Sequence, residues 1–358
     1  MRKQINQLDF SGQDIYIGLD IHLKQMTVTI VGERLHHKTF SQEPDASILS
    51  RYLKRNFPGA HYRAAYEAGF SGFWLQEALQ AQGIDCIIVN PADVPTKDKE
   101  RKRKNDRVDS RKIASSLRNA ELDPIHIPSK QCQLDRCLLR NRNNLIKDNT
   151  RCRNRIKSLL NYFGIRYPER FARSGTHWSR GFMDWLKTVD LGGSGNAALN
   201  IYLQEAEFRR DLLTKTLKEI RALSNQERYS KRVNLWMTVP GVGRLTAMTF
   251  LTELERIDRF RNRDALCNYV GLVPDISASD ETVHIGDMTK RGNRTLRKFL
   301  VESAWIAARK DPALTIKYND LCSRMNGNKA IIRIARMLIT RIQYVLSKEE
   351  PYQFGIVS

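Results

Sequence analysis

The stretch "DIYIGLDIH" (residues 14–22) has the composition of a β-strand, yet it carries an acid, Asp20, inside an otherwise apolar run. Placing an unpaired carboxylate in such a strand is costly, because its charge loses hydration without gaining a partner. The position therefore favours a functional role for Asp20 over a purely structural one. From its composition we predict that the stretch is the first strand of an α/β unit.

The residues around this strand extend the α/β pattern. Apolar and β-branched runs predict strands, helical spacing of apolar residues predicts helices, and Gly83 closes one of those helices. The predicted order is β-β-β-α-β-α-β-α, beginning with a meander of three strands. The strands are predicted at 14–22, 26–32, 35–40, 61–69 and 85–91, and the helices at 45–57, at 72–83 and from about residue 106 onward.

Three further acids stand at element ends of this pattern. Glu67 lies in a later strand, "AYEAG", and Asp106 and Asp109 open the last helix in "KNDRVDSRK". Adjacent strands can bring Asp20 and Glu67 together, and the i, i+3 spacing puts the helix acids on one face. Taken singly, Glu67 is equally compatible with a structural role, and Asp106 and Asp109 are more typical of solvated acids at a helix start. Together we call these four residues the carboxylate set.

Four carboxylates in one cleft would repel each other and raise each other's pKa values. A divalent cation removes that cost, and hard oxygen ligands suit Mg²⁺ or Mn²⁺. Such ions can activate an attacking oxygen and stabilise a leaving oxygen on phosphorus. The carboxylate set therefore predicts a metal site for nucleic-acid phosphodiester chemistry.

The charge of the chain points to the same partner. Lys and Arg number 60 against 39 Asp and Glu, a net charge of +21. Such an excess favours polyanions as partners. The sequence contains neither a bilayer-spanning apolar run nor the apolar core of a signal peptide, so we expect a cytoplasmic, nucleoid-associated protein. The six cysteines form no C-x-x-C pair and are expected to be reduced thiols.

The rest of the chain predicts an all-α architecture. A long basic helix is expected over 129–163 and a second over 197–232, with "GGSG" (192–195) as a flexible linker composition between them. Two long helices joined in this way suggest a helical hairpin or a coiled-coil arm. We therefore predict three domains, at 1–128, 129–232 and 233–358, the last mainly helical.

Two segments of the last domain could contact phosphate. "VPGVGRLTA" (239–247) is typical of a helix-hairpin-helix, in which Gly241 and Gly243 allow the backbone to approach a phosphate. An ordinary interhelical turn is the alternative. Downstream, Ser277 and Ser279 lie in a predicted loop, and from the residues alone a turn role is the more common one for such serines.

In combination these motifs identify a family. In chain order, "IGLDIH", "YEAG", "VNP", "KNDRVDSRKIA", "VPGVG", "YVGLVP" and "MTKRGNRTLRKFLVESA" span nearly the whole sequence. With them the chain resembles the DEDD transposases of bacterial insertion sequences, the bridge-RNA-guided recombinases. The resemblance implies a RuvC-like domain of ribonuclease-H fold whose carboxylate set binds Mg²⁺. It also implies a coiled-coil arm used in assembly.

The resemblance further implies a serine nucleophile that forms a covalent phosphoserine–DNA intermediate. Ser279 matches the family serine best, with Ser277 in reserve, although acids follow here in "SASDET" where the family commonly has small residues. The expected partners are donor and target DNA, a guide RNA encoded by the element, and further copies of the chain, as a dimer assembling to a tetramer.

Nucleic acid is expected to meet the basic residues that surround these motifs. Because each neutralised phosphate releases counterions, binding should depend steeply on salt. The predicted contacts are Lys97, Lys99, Arg101, Lys102, Arg103, Lys104, Arg151, Arg155, Gly241, Gly243, Lys290, Arg291, Arg294 and Arg297. Two other functions remain open: a Holliday-junction-type nuclease that uses metal and water without a serine, and a non-catalytic nucleic-acid scaffold.

Overall fold

The computed structural model describes residues 9–95, 105–279, 282–289 and 291–355, and at 276–279 and 282–285 the description covers the backbone alone. The chain divides into two compact units, 1–127 and 128–358. The first unit is a mixed α/β sheet and the second is mostly helical, which confirms the predicted fold class at that level. The finer division of the second unit near residue 232 stays a prediction.

The first unit is built on a five-stranded sheet with the strand order β3-β2-β1-β4-β5. The predicted meander of β1, β2 and β3 is confirmed, because these strands pair antiparallel with their neighbours in the chain. Strand β4 then pairs parallel with β1, and β5 pairs parallel with β4. The strands are β1 (Asp14–Ile21), β2 (Met26–Val31), β3 (His36–Gln42), β4 (His61–Glu67) and β5 (Asp85–Val89).

Helices cover both faces of this sheet. On one face, the buried side chains of Ile17 and Leu19 share a core with α1 (Ala46–Asn56) and α2 (Trp74–Ala81). Each fully buried aliphatic side chain contributes about 1.5–3 kcal/mol. On the other face lies α3 (Asp106–Arg118). The strict alternation of strand side chains places Gly18 and Asp20 toward α3, while Ile17 and Leu19 face the opposite layer.

The second unit consists of helices and one β-hairpin. Its two long helices, α4 and α6, run antiparallel, because Asp148 and Cys152 near the middle of α4 face Arg209 and Tyr202 of α6. The elements are α4 (Lys130–Tyr162), α5 (Arg180–Leu186), α6 (Gly193–Ser224), α7 (Glu227–Met237), α8 (Arg244–Leu254), α9 (Arg263–Val270), β6 (Pro274–Ser279), β7 (Thr282–Met288), α10 (Arg294–Lys310), α11 (Pro312–Cys322) and α12 (Gly327–Lys348).

The long helices belong to two different cores. Near the base of the pair, Leu139, Ile220 and Leu223 are buried among the helices α7–α12. Toward the far end, a separate core collects Ile156 of α4 and Leu203 of α6 against the short elements between them. The pair is therefore anchored in the C-terminal helices at one end and carries its own small core at the other.

The prediction of one helix over 197–232 is wrong, because the helix ends at Ser224 and a new one begins at Glu227. Arg244 contacts this junction. Its Nη1 donates to the Ser224 hydroxyl at 2.8 Å and to the Asn225 Oδ1 at 2.9 Å. These bonds connect the start of α8 to the break between the two helices.

The interpretation of "GGSG" as a flexible linker is also wrong, because Gly193, Ser194 and Gly195 form the first turn of α6. Asp190 holds this helix start: its Oδ1 accepts from the Gly192 N–H at 2.9 Å and from the Asn196 side chain at 2.7 Å. Gly192 itself adopts a φ of +75°, which glycine tolerates without steric cost. Among the described residues, no helix is long and apolar enough to cross a bilayer.

Candidate active site

A close contact at Gly18 sets the position of helix α3 on the sheet. A Cβ at this glycine would lie 2.0 Å from the Ser110 carbonyl oxygen and 2.4 Å from the Ala114 nitrogen. Only a residue without a side chain permits this approach. A buried hydrogen bond of 2.9 Å between the hydroxyls of Thr29 and Ser110 also fixes the helix against β2. The first turn of α3 is thereby held beside the end of β1.

The sequence at the start of α3 favours this helix boundary. The Asn105 side chain caps the helix by accepting from the Arg107 N–H at 3.0 Å. Asp106 and Asp109 occupy the first turn, where the unpaired N–H groups and the helix dipole favour negative charge. Asp106 is exposed and Asp109 is half-buried. The predicted pair of helix acids therefore stands at the end of α3 that meets the sheet.

Asp20 and Asp106 converge on a third residue, His22. The His22 Nε2 lies 3.4 Å from the Asp20 Oδ2 and 3.4 Å from the Asp106 Oδ2. Ligand atoms of all three side chains lie within 4.8 Å of one another, the spacing of a possible metal site. A strand acid and a helix acid that are 86 positions apart in the sequence thus form one cluster.

The other two members of the carboxylate set lie beside this cluster. Leu19 pairs with Tyr66 in the parallel register of β1 and β4, so Asp20 and Glu67 are the next residues along two adjacent strands. Such neighbours point to the same face of a sheet. Asp109 is close enough to raise the pKa of Asp20. Neither Glu67 nor Asp109 belongs to the three-residue group itself.

The electrostatics of the cluster favour a bound cation. Burial raises the pKa of Asp20, and the charges of Asp106 and Asp109 raise it further, while His22 acts in the opposite direction. Among the described residues, no arginine or lysine forms an ion pair with Asp20, Asp106 or Asp109. Crowded carboxylates without a basic partner are a donor set that fits a divalent ion.

Sequence reasoning missed His22. The residue stands two positions after Asp20, and alternate residues of an extended chain share a face, so "DIH" did contain the signal. The two carboxylates provide oxygen ligands, which suit both Mg²⁺ and Mn²⁺. The imidazole of His22 adds a nitrogen ligand, which transition ions accept more readily than Mg²⁺ does.

The loop predicted around the two serines is wrong, because both lie in the strand Pro274–Ser279, which pairs with the strand Thr282–Met288. Strand β6 pairs antiparallel with β7, in a register that matches Ser277 with His284 and Ser279 with Thr282. The alternating composition of both strands favours this pairing. Ser279 is therefore the last residue of β6, and its role as nucleophile stays a prediction.

The base of this hairpin rests on Arg297. Its Nη1 donates to the Gly271 carbonyl at 3.0 Å and to the Thr289 carbonyl at 2.6 Å. This guanidinium therefore positions the chain where β7 ends, whereas Arg291 and Arg294 are exposed. Lys290 lies outside the described residues.

The turn between α7 and α8 gives its two glycines different surroundings. Gly241 has a φ of +83°, and a Cβ there would lie 2.3 Å from the Ser303 carbonyl of α10, so this close approach is to the protein's own backbone. Gly243 is exposed, with no atom near its Cβ position, and it precedes the first residue of α8. The predicted phosphate contact remains open at Gly243 and the N–H groups behind it.

The predicted basic contacts of the long helices take part in surface ion pairs. Arg151 contacts Asp148 at 3.1 Å, and Arg155 contacts Glu205 across to α6 at 2.7 Å. Such surface pairs contribute little to stability. The basic run with Lys97, Lys99, Arg101, Lys102, Arg103 and Lys104 lies outside the described residues.

Family comparisons agree with the acids that converge in the first unit. A model of DEDD transposases of the IS110 type matches residues 17–164, and a model described as the transposase IS116/IS110/IS902 family matches residues 233–319. The chain belongs to this family of insertion-sequence transposases. The first match covers Asp20, Glu67, Asp106 and Asp109, and the second covers the hairpin with Ser279.

Individual relatives extend the similarity over most of the chain. A putative transposase of Sinorhizobium fredii is 30% identical over 304 residues, covering 82% of this chain and 72% of the relative. A second putative transposase of that organism is 26% identical over 371 residues, covering 92% and 91%. The transposase for insertion sequence element IS1111A of Coxiella burnetii is 26% identical over 293 residues, covering 80% and 78%.

Membership of this family settles the class of activity. The protein is a transposase, an enzyme of DNA transposition and recombination, and DNA is its partner. A DEDD domain also implies the use of a divalent metal. The cluster of Asp20, His22 and Asp106 provides a donor set that fits such an ion.

Proposed function

We propose that the protein is an RNA-guided DNA recombinase that cuts and rejoins donor and target DNA through a covalent phosphoserine intermediate. In this proposal the carboxylate set holds Mg²⁺, with Mn²⁺ as a substitute, and Ser279 is the nucleophile. The observation that carries it is the convergence of Asp20 and Asp106, through His22, into a cluster that no described lysine or arginine neutralises.

The topology of the first unit supports a RuvC-like, ribonuclease-H-type fold for this domain. Three antiparallel strands are followed by two parallel ones, and the acid of the first strand lies at the middle of the sheet. The last helix of the unit returns to that strand at Gly18 and brings its own acids. An arrangement of this kind gathers ligands from distant parts of the sequence at one edge of a rigid scaffold.

Divalent ions, when bound, would stabilise negative charge on the oxygens around the reacting phosphorus. The residues of the chain have separate tasks. Asp20, Glu67, Asp106 and Asp109 would hold the ions and fix their position relative to the DNA. The two helix acids would also be oriented by the Asn105 cap and by the contact of α3 with Gly18.

The serine step is a transesterification. The Ser279 Oγ attacks a DNA phosphorus, a new O–P bond forms, and the phosphodiester bond to one DNA end breaks. The serine proton is transferred to the leaving oxygen, which departs as a hydroxyl. Attack of a hydroxyl from another DNA end on the phosphoserine reverses these changes and joins the new pair, so no external energy source is required.

The proposed partners follow from the family resemblance. A guide RNA encoded by the element would pair with donor and target DNA. The helical pair α4–α6 would serve in assembly, from a dimer to a tetramer, and one active site would combine the carboxylate set of one copy with Ser279 of another. Phosphates would be neutralised by Arg151, Arg155, Lys290, Arg291, Arg294 and the basic run from Lys97 to Lys104. The backbone at Gly243 would offer N–H groups to a phosphate.

The decisive experiment traps protein–DNA adducts in the presence of Mg²⁺, matched DNA and the cognate RNA. We expect mass spectrometry to map the DNA to Ser279, and we expect Ser279→Ala to abolish the adduct while the matched variant Ser277→Ala retains it. Adducts at neither serine would overturn the nucleophile assignment. Normal DNA cleavage by Ser279→Ala would favour a Holliday-junction-type nuclease that uses water.

A further inference from the structure

A cavity of about 350 Å³ opens in the second unit, at the far end of the helical pair α4–α6. The short helix α5 and the residue before its cap form one wall, and the long helices form the other. Its size is that of small-ligand sites in proteins. Four cations and one indole line it, namely Arg153, Trp178, Arg180, Lys187 and Arg210.

Most of the positive charge in this cavity lacks an acidic partner. Lys187 pairs with Glu207 at 2.7 Å. Among the described residues, no carboxylate lies within salt-bridge distance of Arg153, Arg180 or Arg210. Burial, together with the charge of Arg210, lowers the pKa of Arg153. Cations that repel one another in a partly buried cavity form a site at which an anion relieves the repulsion.

The cavity also offers a flat aromatic surface. The guanidinium of Arg153 lies over the ring of Trp178, with 5.0 Å between its carbon and the ring centroid. Indole rings and guanidinium groups are the surfaces on which unpaired nucleic-acid bases stack. A free phosphate ion would satisfy the arginines but would leave this surface and most of the cavity volume unused.

The backbone at Trp178 is held in an uncommon conformation. Its φ is +67°, in the left-handed region that residues with a side chain seldom adopt. The next residue, Ser179, caps α5 by accepting from the Phe182 N–H at 3.3 Å, and the rings of Trp178 and Phe182 meet edge to face at 5.4 Å. Strain of about 1–3 kcal/mol at such a residue is typical of ligand sites.

We propose that this cavity binds one unpaired nucleotide of a single-stranded nucleic acid, with its base stacked on the Trp178–Arg153 pair and its phosphate contacted by Arg180 and Arg210. The acids Asp184 and Glu207, which also line the cavity, are available to accept hydrogen bonds from a base. This site goes beyond the proposed function, because neither the carboxylate set nor Ser279 takes part in it.

The first test is photocrosslinking with oligonucleotides of about ten residues. One arm uses oligouridylate with a central 4-thiouridine and the other uses oligothymidylate with a central 4-thiothymidine, both with full-length protein in EDTA. We expect a crosslink to the peptide that contains Trp178, and the stronger arm identifies RNA or DNA as the source of the nucleotide. A crosslink absent from this peptide in both arms would contradict the proposal. EDTA removes metal binding, so this outcome is independent of the carboxylate set.

The second test compares two charge-matched double variants in a fluorescence anisotropy titration with the same oligonucleotides. Arg180→Gln with Arg210→Gln removes two cavity cations, whereas Arg166→Gln with Arg173→Gln removes two exposed arginines outside the cavity lining. We expect the cavity variant to bind at least about fivefold more weakly than the control variant. Equal affinities of the two variants would refute the site, since all four positions are exposed and tolerate glutamine.

Discussion

Asp20 in the first unit and Glu253 in the second both withdraw a carboxylate from solvent, but they differ in the partners that surround them. Glu253 accepts two hydrogen bonds from Arg140, at 2.8 and 3.0 Å, and a third from the Asn293 side chain at 3.1 Å. Asp20 faces His22 and further acids. Among the described residues no lysine or arginine pairs with Asp20, and its crowded acidic surroundings fit the divalent metal that a DEDD domain implies.

Two other buried acids of the second unit also have basic partners. Asp135 accepts from the Tyr229 hydroxyl at 2.8 Å and from Arg228 at 3.0 Å. Asp311, which is fully buried, accepts from Arg341 at 2.9 Å and also from a tyrosine hydroxyl. These three buried acids of the second unit are therefore held by basic and hydroxyl partners, whereas the ionised form of Asp20 opposes folding until a cation binds.

The largest expected effect comes from removing a charge of the carboxylate set. We expect Asp20→Asn to lower recombination by roughly 10²- to 10⁴-fold, because several kcal/mol of metal-dependent stabilisation of the transition state is lost. The same change should raise the melting temperature of the metal-free protein. The pKa of Asp20 is raised in the folded state, so its ionised form opposes folding at neutral pH.

Calorimetry with and without metal separates these two effects. Mg²⁺ at about 100 times its Kd should stabilise the wild type by about 2.7 kcal/mol and should stabilise Asp20→Asn much less. The control is Glu33→Gln, which removes an exposed carboxylate of the same unit. If metal-free Asp20→Asn melts at a lower temperature than the metal-free wild type, Asp20 stabilises the fold without metal. The proposed difference between Asp20 and the paired acids of the second unit would then be wrong.

The second prediction applies the same neutralisation to a paired acid. Glu253→Gln should destabilise the second unit by about 3 kcal/mol, because the nearly buried Arg136 and the more exposed Arg140 lose a buried charged partner. The measurement is the free energy of unfolding in urea. The control, Asp258→Asn, removes an acid from an exposed pair with Arg256 and should change stability by at most about 0.5 kcal/mol. Similar values for the two variants would show that burial does not decide the contribution of these pairs.

The third prediction concerns the contact that brings the acids together. Gly18→Ala places a methyl group against the backbone of α3, which must shift, at a cost of about 1–3 kcal/mol. The shift separates Asp106 from Asp20, so Mg²⁺ affinity should fall as well. Gly32→Ala is the matched control, because the nearest atom to its Cβ would be 3.9 Å away. Unchanged metal affinity in Gly18→Ala, measured by calorimetric titration, would contradict this account of the site.

The features that the sequence predicted well are those with local causes. The strand pattern around Asp20 and the Asn105 cap before Asp106 depend on residues that are neighbours in the chain, so the sheet and the helix start were predictable. The family models then confirmed the class of enzyme.

The features that were missed depend on tertiary contacts. The break after Ser224 is stabilised by Arg244, 20 residues further along the chain. His22 lies between two acids because α3 packs against β1. The close contact at Gly18 allows this packing, and it is visible only in the folded structure. Local patterns carry no information about such encounters, because periodicity reports which face of an element is buried and not against what.

The smallest expected effect tests the paired acids with a single hydroxyl. Burial, followed by the hydrogen bond to Asp311, raises the pKa of Tyr352 to about 12 from an ordinary value near 10. The interaction therefore stabilises the fold fully below pH 10, and its contribution declines as the pH rises toward 12. Tyr352→Phe should cost about 1 kcal/mol at neutral pH, since Asp311 keeps its bonds from Arg341 and the Leu314 N–H.

The variant should also lose less stability than the wild type between pH 10 and 12, measured by urea unfolding at each pH. The control, Tyr344→Phe, changes an exposed tyrosine, so its free energy of unfolding should equal that of the wild type at every pH measured. If the free energy of unfolding of Tyr352→Phe declines with pH as steeply as that of the wild type, the Tyr352 hydroxyl does not stabilise Asp311. Arg341 would then be the group that neutralises this acid.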